Sequence, residues 1–268
     1  MSPLRSASLP AHRPTTRAVW LAAIASIAAV ALWWHGPIAQ WADYHHFADA
    51  RAWAAIPNAA NVLSNLPFLF AGVWALWRLA NTRACGPGHA AWTVFAAAVA
   101  CTAFGSAVYH WAPSNDTLAF DRLPIAWACG ALLCGLLAER VDARWSRPPV
   151  LASVLLLATG SVAAWWIGER HGHGDLRLYV AVQFLPMLLV PAALLLRLPA
   201  TQPAVVPARD WCIVLALYAA AKGMEAADHG VLSSLGVVSG HTLKHLLAAG
   251  AAAWLLHAAV AISSGSRR

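Results

Sequence analysis

Three histidines in this chain have the spacing of a metal site. His241 and His245 stand four residues apart in SGHTLKHLLAAG (239–250), and His110 closes the earlier run FGSAVYHW. Residues four apart share one face of a helix. Two imidazoles from one helix and a third from another can make a three-histidine tetrahedral site with one open position. That is the catalytic form of a zinc site, because closed structural sites use four protein ligands. Zinc in such a site brings the pKa of bound water to about 7. Two further residues belong to the constellation. Asp121 can accept the water's proton or orient a ligand. Ser106, one turn before His110, lies about 6 Å deeper along the helix axis, where its hydroxyl can polarise a carbonyl or bind an oxyanion. Each residue alone also has a plainer reading. Histidines at helix ends meet lipid headgroups, serine packs between helices, and Asp121 can pair with Arg122 or cap its helix.

The elements that must position these groups are membrane helices. The chain has 268 residues, 60% hydrophobic and only 11% charged. Long apolar runs alternate with short polar connectors, which leaves no room for a soluble domain. The runs do not alternate apolar with polar residues as barrel strands do. Eight helices are expected, over about 18–34, 58–77, 90–110, 118–138, 149–167, 176–196, 210–225 and 240–262, each near the ~20 residues that cross a bilayer. The later connectors carry Pro199, Pro203 and Pro207, then Gly230, Ser233, Ser234 and Gly236, which break helices. The first run follows Arg5, Arg13 and Arg17. It lacks a clean small-x-small cleavage site, so an uncleaved anchor is expected rather than a signal peptide.

Arginine placement orients the bundle. With a cytoplasmic N-terminus, the cytoplasmic side holds Arg5, Arg13, Arg17, Arg78, Arg83, Arg140, Arg144, Arg147, Arg197, Arg209, Arg267 and Arg268, against Arg51, Arg170 and Arg177 outside. This is a positive-inside pattern. Both termini are then cytoplasmic, and Ser106, His110, Asp121, His241 and His245 come to similar depth near the outer face. The net charge of +7 is scattered over loops, so topology explains it and nucleic acid is not an expected partner. A bias to alanine and arginine suggests a GC-rich bacterial genome, hence an inner membrane with the site near its periplasmic face. Cys85, Cys101, Cys129, Cys134 and Cys212 contain no C-x-x-C pair and read as small core residues.

The motifs together resemble the alkaline ceramidases. GSAVYHWAPSNDTLAFDRLPIAW (105–127) is similar to that family's Ser-x-x-x-His followed by Asp, Leu-Pro and Trp. SGHTLKHL is similar to its late His-x-x-x-His. IPNAANVLSNLPFLFAG (56–72) resembles its first-helix motif, with Asn61, Ser64 and Asn65 where the family has Asn, Ser and Asn. The family belongs to a superfamily of seven-helix membrane hydrolases that also includes the adiponectin-type receptors. The resemblance implies an all-α integral membrane fold: a seven-helix hydrolase core over 58–262 plus one extra N-terminal transmembrane helix at 18–34. Around these lie a cytoplasmic tail at 1–17, an outer loop at 35–57 and a short cytoplasmic tail at 263–268. It implies Zn2+ on His110, His241 and His245, with Ser106 and Asp121 as catalytic residues. The implied substrate is a membrane lipid, ceramide or another N-acyl lipid, cleaved to a fatty acid and a sphingoid base or related amine. Eukaryotic members also carry Ca2+ in an acidic segment before the first core helix. Here Asp43, Asp49 and Asn58 fall near those positions, with Asn58 where a Glu is expected. That weakens a calcium site, since affinity follows ligand charge. A solvated interfacial loop is the alternative, and Trp41 and Trp53 suit it.

Glu225, Asp228 and His229 share a face in KGMEAADHG, as a supporting network or a rival metal site; structural ion pairs with Lys222 and Lys244 are the expected role. His45, His46, His171, His173 and His257 read as solvated. A non-enzymatic membrane receptor is the alternative function. A transporter using Lys222, Glu225 and Asp228 is a third, though no repeated pair of broken helices supports it.

Overall fold

Residues 16–82, 86–202 and 205–264 are described by the structure, a computed structural model. Arg5, Arg13, Arg83, Cys85, Pro203, Arg267 and Arg268 lie outside these residues. The secondary structure described is helical apart from one isolated bridge between Trp53 and Ile56. The helices are α1 (Thr16–His35), α2 (Ala59–Leu63), α3 (Leu66–Ala80), α4 (His89–Trp111), α5 (Asn115–Arg140), α6 (Pro148–Arg170), α7 (Arg177–Leu195), α8 (Ala208–Ala226), α9 (Asp228–Leu235) and α10 (Gly240–Ser263), with a 3-10 turn at Ala143–Ser146.

Seven segments among the described residues are long and apolar enough to cross a membrane: α1, α2 with α3, α4, α5, α6, α7 and α10. They describe a multi-pass membrane protein. The remaining expected span, 210–225, is α8. At 19 residues it is about 28 Å long, but Arg209, Asp210, Lys222 and Glu225 keep it from being apolar throughout. It lies antiparallel to α10. Lys244 Nζ meets Glu225 Oε1 at 2.9 Å near one end, and Trp254 Nε1 donates to Asp210 Oδ1 at 3.2 Å near the other.

Two differences from the expected elements bear on the site. The expected helix 58–77 is broken at Ser64 and Asn65, because Pro67 can start a helix but cannot donate to the preceding turn. The break frees the side chains of Asn61, Ser64 and Asn65 for hydrogen bonding. The connector after 225 was expected to be non-helical, yet it contains α9. The hydroxyls of Ser233 and Ser234 bond back to the carbonyl of Gly230 within it. Only Gly236 acts as a terminator, at φ 72°.

The main core joins α3, α4, α5, α8 and α10 through Phe95, Val99, Leu132, Leu136, Trp211 and Leu255, among others. A smaller cluster around Tyr109, Leu118, Trp165 and Tyr179 sits beneath one end of the bundle. Helix α1 stands against α7, tied by Arg17 to the Arg197 carbonyl and by Arg177 to the Trp33 carbonyl. Trp20, Ile27, Val30, Trp33 and Trp34 remain exposed on α1, as a lipid-facing surface requires.

Candidate metal centre

Local structure explains why the three histidines meet. Ser239 caps α10 by accepting the Thr242 N–H at 3.2 Å, so His241 and His245 occupy the helix's first two turns. Asp228 fixes that start further, since its Oδ1 accepts the His241 N–H at 2.7 Å. Gly240 packs where a Cβ would collide with the Met224 carbonyl, which brings α10 against the end of α8. Across the bundle, Ser114 and Thr117 form a reciprocal capping box that starts α5 immediately after α4 ends. The two helices touch at Gly105, where a Cβ would strike the Phe120 carbonyl. This contact sets Ser106 beside Asp121.

His110, His241 and His245 are all buried, and each offers a ring nitrogen within 4.8 Å of the others. Ring centroids are separated by 4.9, 4.8 and 4.8 Å. Zn–N bonds of 2.0–2.1 Å ask for tetrahedral ligand nitrogens about 3.3 Å apart, a spacing within that bound. Both nitrogens of His110, and Nε2 of His241, are buried with no hydrogen-bond partner. Buried polar atoms left this way are costly, and a metal ion would satisfy them. The three residues therefore fit a divalent metal, and neutral imidazole suits zinc. Among the described residues this is the one such cluster of histidine, cysteine or carboxylate groups.

The supporting groups come from the break between α2 and α3. Ser64 Oγ lies 2.7 Å from His245 Nδ1 and 3.0 Å from the Asn61 carbonyl, to which it donates. Asn61 is fully buried. Its Oδ1 accepts the Thr242 hydroxyl at 2.9 Å, and its Nδ2 donates to the Asp49 carbonyl at 3.2 Å. The resemblance placed Asn61, Ser64 and Asn65 in a motif without giving them these contacts.

Ser106 is buried beside Asp121, whose Oδ1 is buried with no hydrogen-bond partner. The serine thus stands with Asp121 at the polar end of the bundle's cavity. Both line an 820 Å³ cavity together with His241 and His245. From this polar end the cavity extends along α4 past Thr102 and Val99 to Phe95. That is about 16 Å at 1.5 Å per residue. Ala128 and Leu132 of α5 and Ala252 and Leu255 of α10 complete its apolar walls.

The segment 36–58 closes the other side. Phe47 lays its ring 4.6 Å from His110 and 4.7 Å from His241. The Ala48 N–H donates to Asp228 Oδ2 at 2.9 Å, and the Ile38 N–H donates to Asp175 Oδ1 at 3.1 Å. His45 was expected to be solvated. Instead it bridges the Tyr109 hydroxyl at 2.9 Å and Asn115 Oδ1 at 3.1 Å. His257 is exposed, with its ring stacked on Trp74. His46, His171 and His173 are exposed.

The three residues expected near calcium are engaged separately. Both Asp49 carboxylate oxygens are taken by Arg51, at 2.8 and 2.7 Å. The hydrogen bond from Arg51 holds the Asp49 carboxyl below its usual range, against the opposing effect of burial. Asn58 is in the left-handed region at φ 45° and donates its amide to the His110 carbonyl at 2.9 Å. Asn tolerates that backbone better than Glu would. Asp43 is exposed at the cavity rim. This arrangement lends calcium no support. Glu225 pairs with both Lys222 and Lys244, the expected structural role. Asp228 holds backbone N–H groups, and His229 is exposed. Cys101, Cys129, Cys134 and Cys212 are free thiols.

No family model and no curated protein matches this chain. The centre is therefore read from its own geometry.

Proposed function

We propose that this protein is a zinc-dependent membrane amidase that hydrolyses ceramide or a related N-acyl lipid to a fatty acid and an amine. One observation carries the reading. Three buried imidazoles, two of them with unpartnered nitrogens, lie beside Ser106 and Asp121 at the end of a cavity that is polar there and apolar along its length. A soluble substrate would not need the apolar limb. The sequence resemblance points to the same chemistry.

His110, His241 and His245 would hold the metal, which when bound supplies a Lewis acid for the carbonyl and a more acidic water. Asp121, beside Ser106, takes the water's proton as the carbon–oxygen bond forms. It returns that proton to nitrogen as the carbon–nitrogen bond breaks, giving a carboxylic acid and an amine, and transfer of the acid's proton to the amine leaves a carboxylate and an ammonium. Phe47 and the segment around it exclude bulk water from the reacting end. By the arginine pattern, both termini are cytoplasmic and the centre faces the periplasmic side of a bacterial inner membrane.

The test is incubation of the purified protein with a panel of N-acyl lipids, followed by mass analysis of the products. Chelator-sensitive release of free fatty acid is expected, and Asp121→Asn should reduce it at least about 100-fold. Binding of these lipids with no acyl release would favour a receptor instead.

A further inference from the structure

Arg122 is the unexplained charge in the cavity. It follows Asp121 on α5 and is 5% exposed, inside a helix that crosses the membrane. Ionisable groups at such positions are costly and usually serve a ligand or a pathway. The sequence suggested Asp121 as its partner. The structure gives it none of that kind, since no carboxylate among the described residues forms an ion pair with it. Three aromatic rings surround the guanidinium carbon instead: Trp165 at 4.0 Å, Tyr179 at 4.9 Å and Tyr44 at 5.6 Å. Gln40 Oε1 accepts from Nη2 at 2.6 Å, and Nη1 is buried with no hydrogen-bond partner.

Aromatic faces hold a cation in place, but they do not satisfy its N–H groups. A guanidinium fixed by rings, carrying unused donors and lining a cavity, is arranged for an anion. Its place in the cavity says which part of a ligand carries that anion. Gln40 and Tyr44 belong to the segment that closes the polar end, while the apolar limb leads away along α4. The hydrocarbon chain takes the limb, so the acid belongs to the head group.

We propose that Arg122 forms an anion subsite for a carboxylate or phosphate on the amine portion of the N-acyl lipid. The inference deepens the amidase reading and rests on it for the identity of the ligand. It sets the preferred substrates apart from neutral ceramide, as N-acyl lipids with an acid beside the amide.

The experiment measures binding first and turnover second, with the full chain in neutral detergent. N-lauroylglycine, N-lauroyl-aminoethyl phosphate and the neutral N-lauroylethanolamine are titrated into chelator-treated protein by calorimetry. At least one acid should bind about tenfold or more tightly than the neutral amide, and comparison of the two identifies which anion the subsite takes. Arg122→Gln should remove that preference without weakening the neutral ligand, and Arg122→Lys should keep part of it. Equal affinity of the native protein for all three overturns the subsite, whether or not either variant folds. So does a uniform loss in Arg122→Gln. Turnover of zinc-loaded protein then separates the two ideas. Preferential binding of an acid with no acyl release leaves the subsite standing and removes the amidase. Equal binding with release of laurate does the reverse.

Discussion

Ser64 decides which nitrogen of His245 faces the other two histidines. The serine has one hydroxyl hydrogen, and the Asn61 carbonyl, 3.0 Å away, can only accept it. With that hydrogen on the carbonyl, the contact of 2.7 Å to His245 Nδ1 runs from Nδ1–H to the serine oxygen. That leaves Nε2 of His245 unprotonated and free to bind a metal. Removing such a support typically costs about 10–100-fold in metal affinity. Ser64→Ala should weaken zinc binding by that amount with the fold intact, measured by competition with a chromophoric chelator. Unchanged affinity would show that the tautomer is set elsewhere.

The contact of α4 with α5 at Gly105 makes a separate prediction. A methyl group there meets the Phe120 carbonyl, which is backbone and cannot swing aside. Gly105→Ala should push the helices apart, costing about 1–3 kcal/mol. It should also cut hydrolysis by more than about tenfold through the Ser106–Asp121 pair, since each 1.36 kcal/mol of barrier is tenfold. Zinc content should fall less than turnover, because His241 and His245 lie on α10, away from this contact. A variant with native melting temperature and native turnover would contradict the arrangement.

Asp228 joins the first turn of α10 to the closing segment through the N–H groups of His241 and Ala48. An amide has one accepting oxygen where the carboxylate has two. Asp228→Asn should therefore strand one buried N–H at a cost of about 1–3 kcal/mol. The effect should appear as a lowered melting temperature and faster proteolysis within residues 36–57. Native protease resistance would mean that the closing segment is held by other contacts.

The Asp49–Arg51 pair gives the closing segment a pH dependence of known sign. The folded carboxyl titrates below its usual value of 3.8. The contribution of the pair is thus complete above about pH 4 and is lost as pH falls through the lowered folded value. Hydrogen exchange in residues 48–58 should be insensitive to protonation of Asp49 between pH 5 and 8, once the intrinsic rate is divided out. Arg51→Met should raise exchange across that whole range. Protection that falls between pH 7 and 5 in the native protein would contradict this account of the pair.

The parts of the molecule that follow local rules were readable from sequence. Long apolar runs yield the helices, and a four-residue spacing places His241 and His245 on one face. Chain direction then brings His110 and Asp121 to the same end. The rest depends on contacts between distant positions. The segment 36–58 has no periodic pattern, and it folds over the centre through nearby Asn61 and through Asp175 and Asp228, which lie far from it in the chain. His45 looked solvated because Tyr109 and Asn115 are distant in sequence. Arg122 looked like the partner of Asp121 because they are neighbours. On a helix, adjacent residues point about 100° apart, and the rings that hold Arg122 come from three other segments.

Metal content with ligand identity tests the central claim most directly. The full-length protein, purified without added chelator, should carry one zinc ion per chain. X-ray absorption at the zinc edge should show three imidazole nitrogens at about 2.0–2.1 Å. His110→Ala, His241→Ala and His245→Ala should each lose the metal while the melting transition survives. A folded native protein that takes up no divalent metal, or one that keeps it in all three variants, would contradict the account.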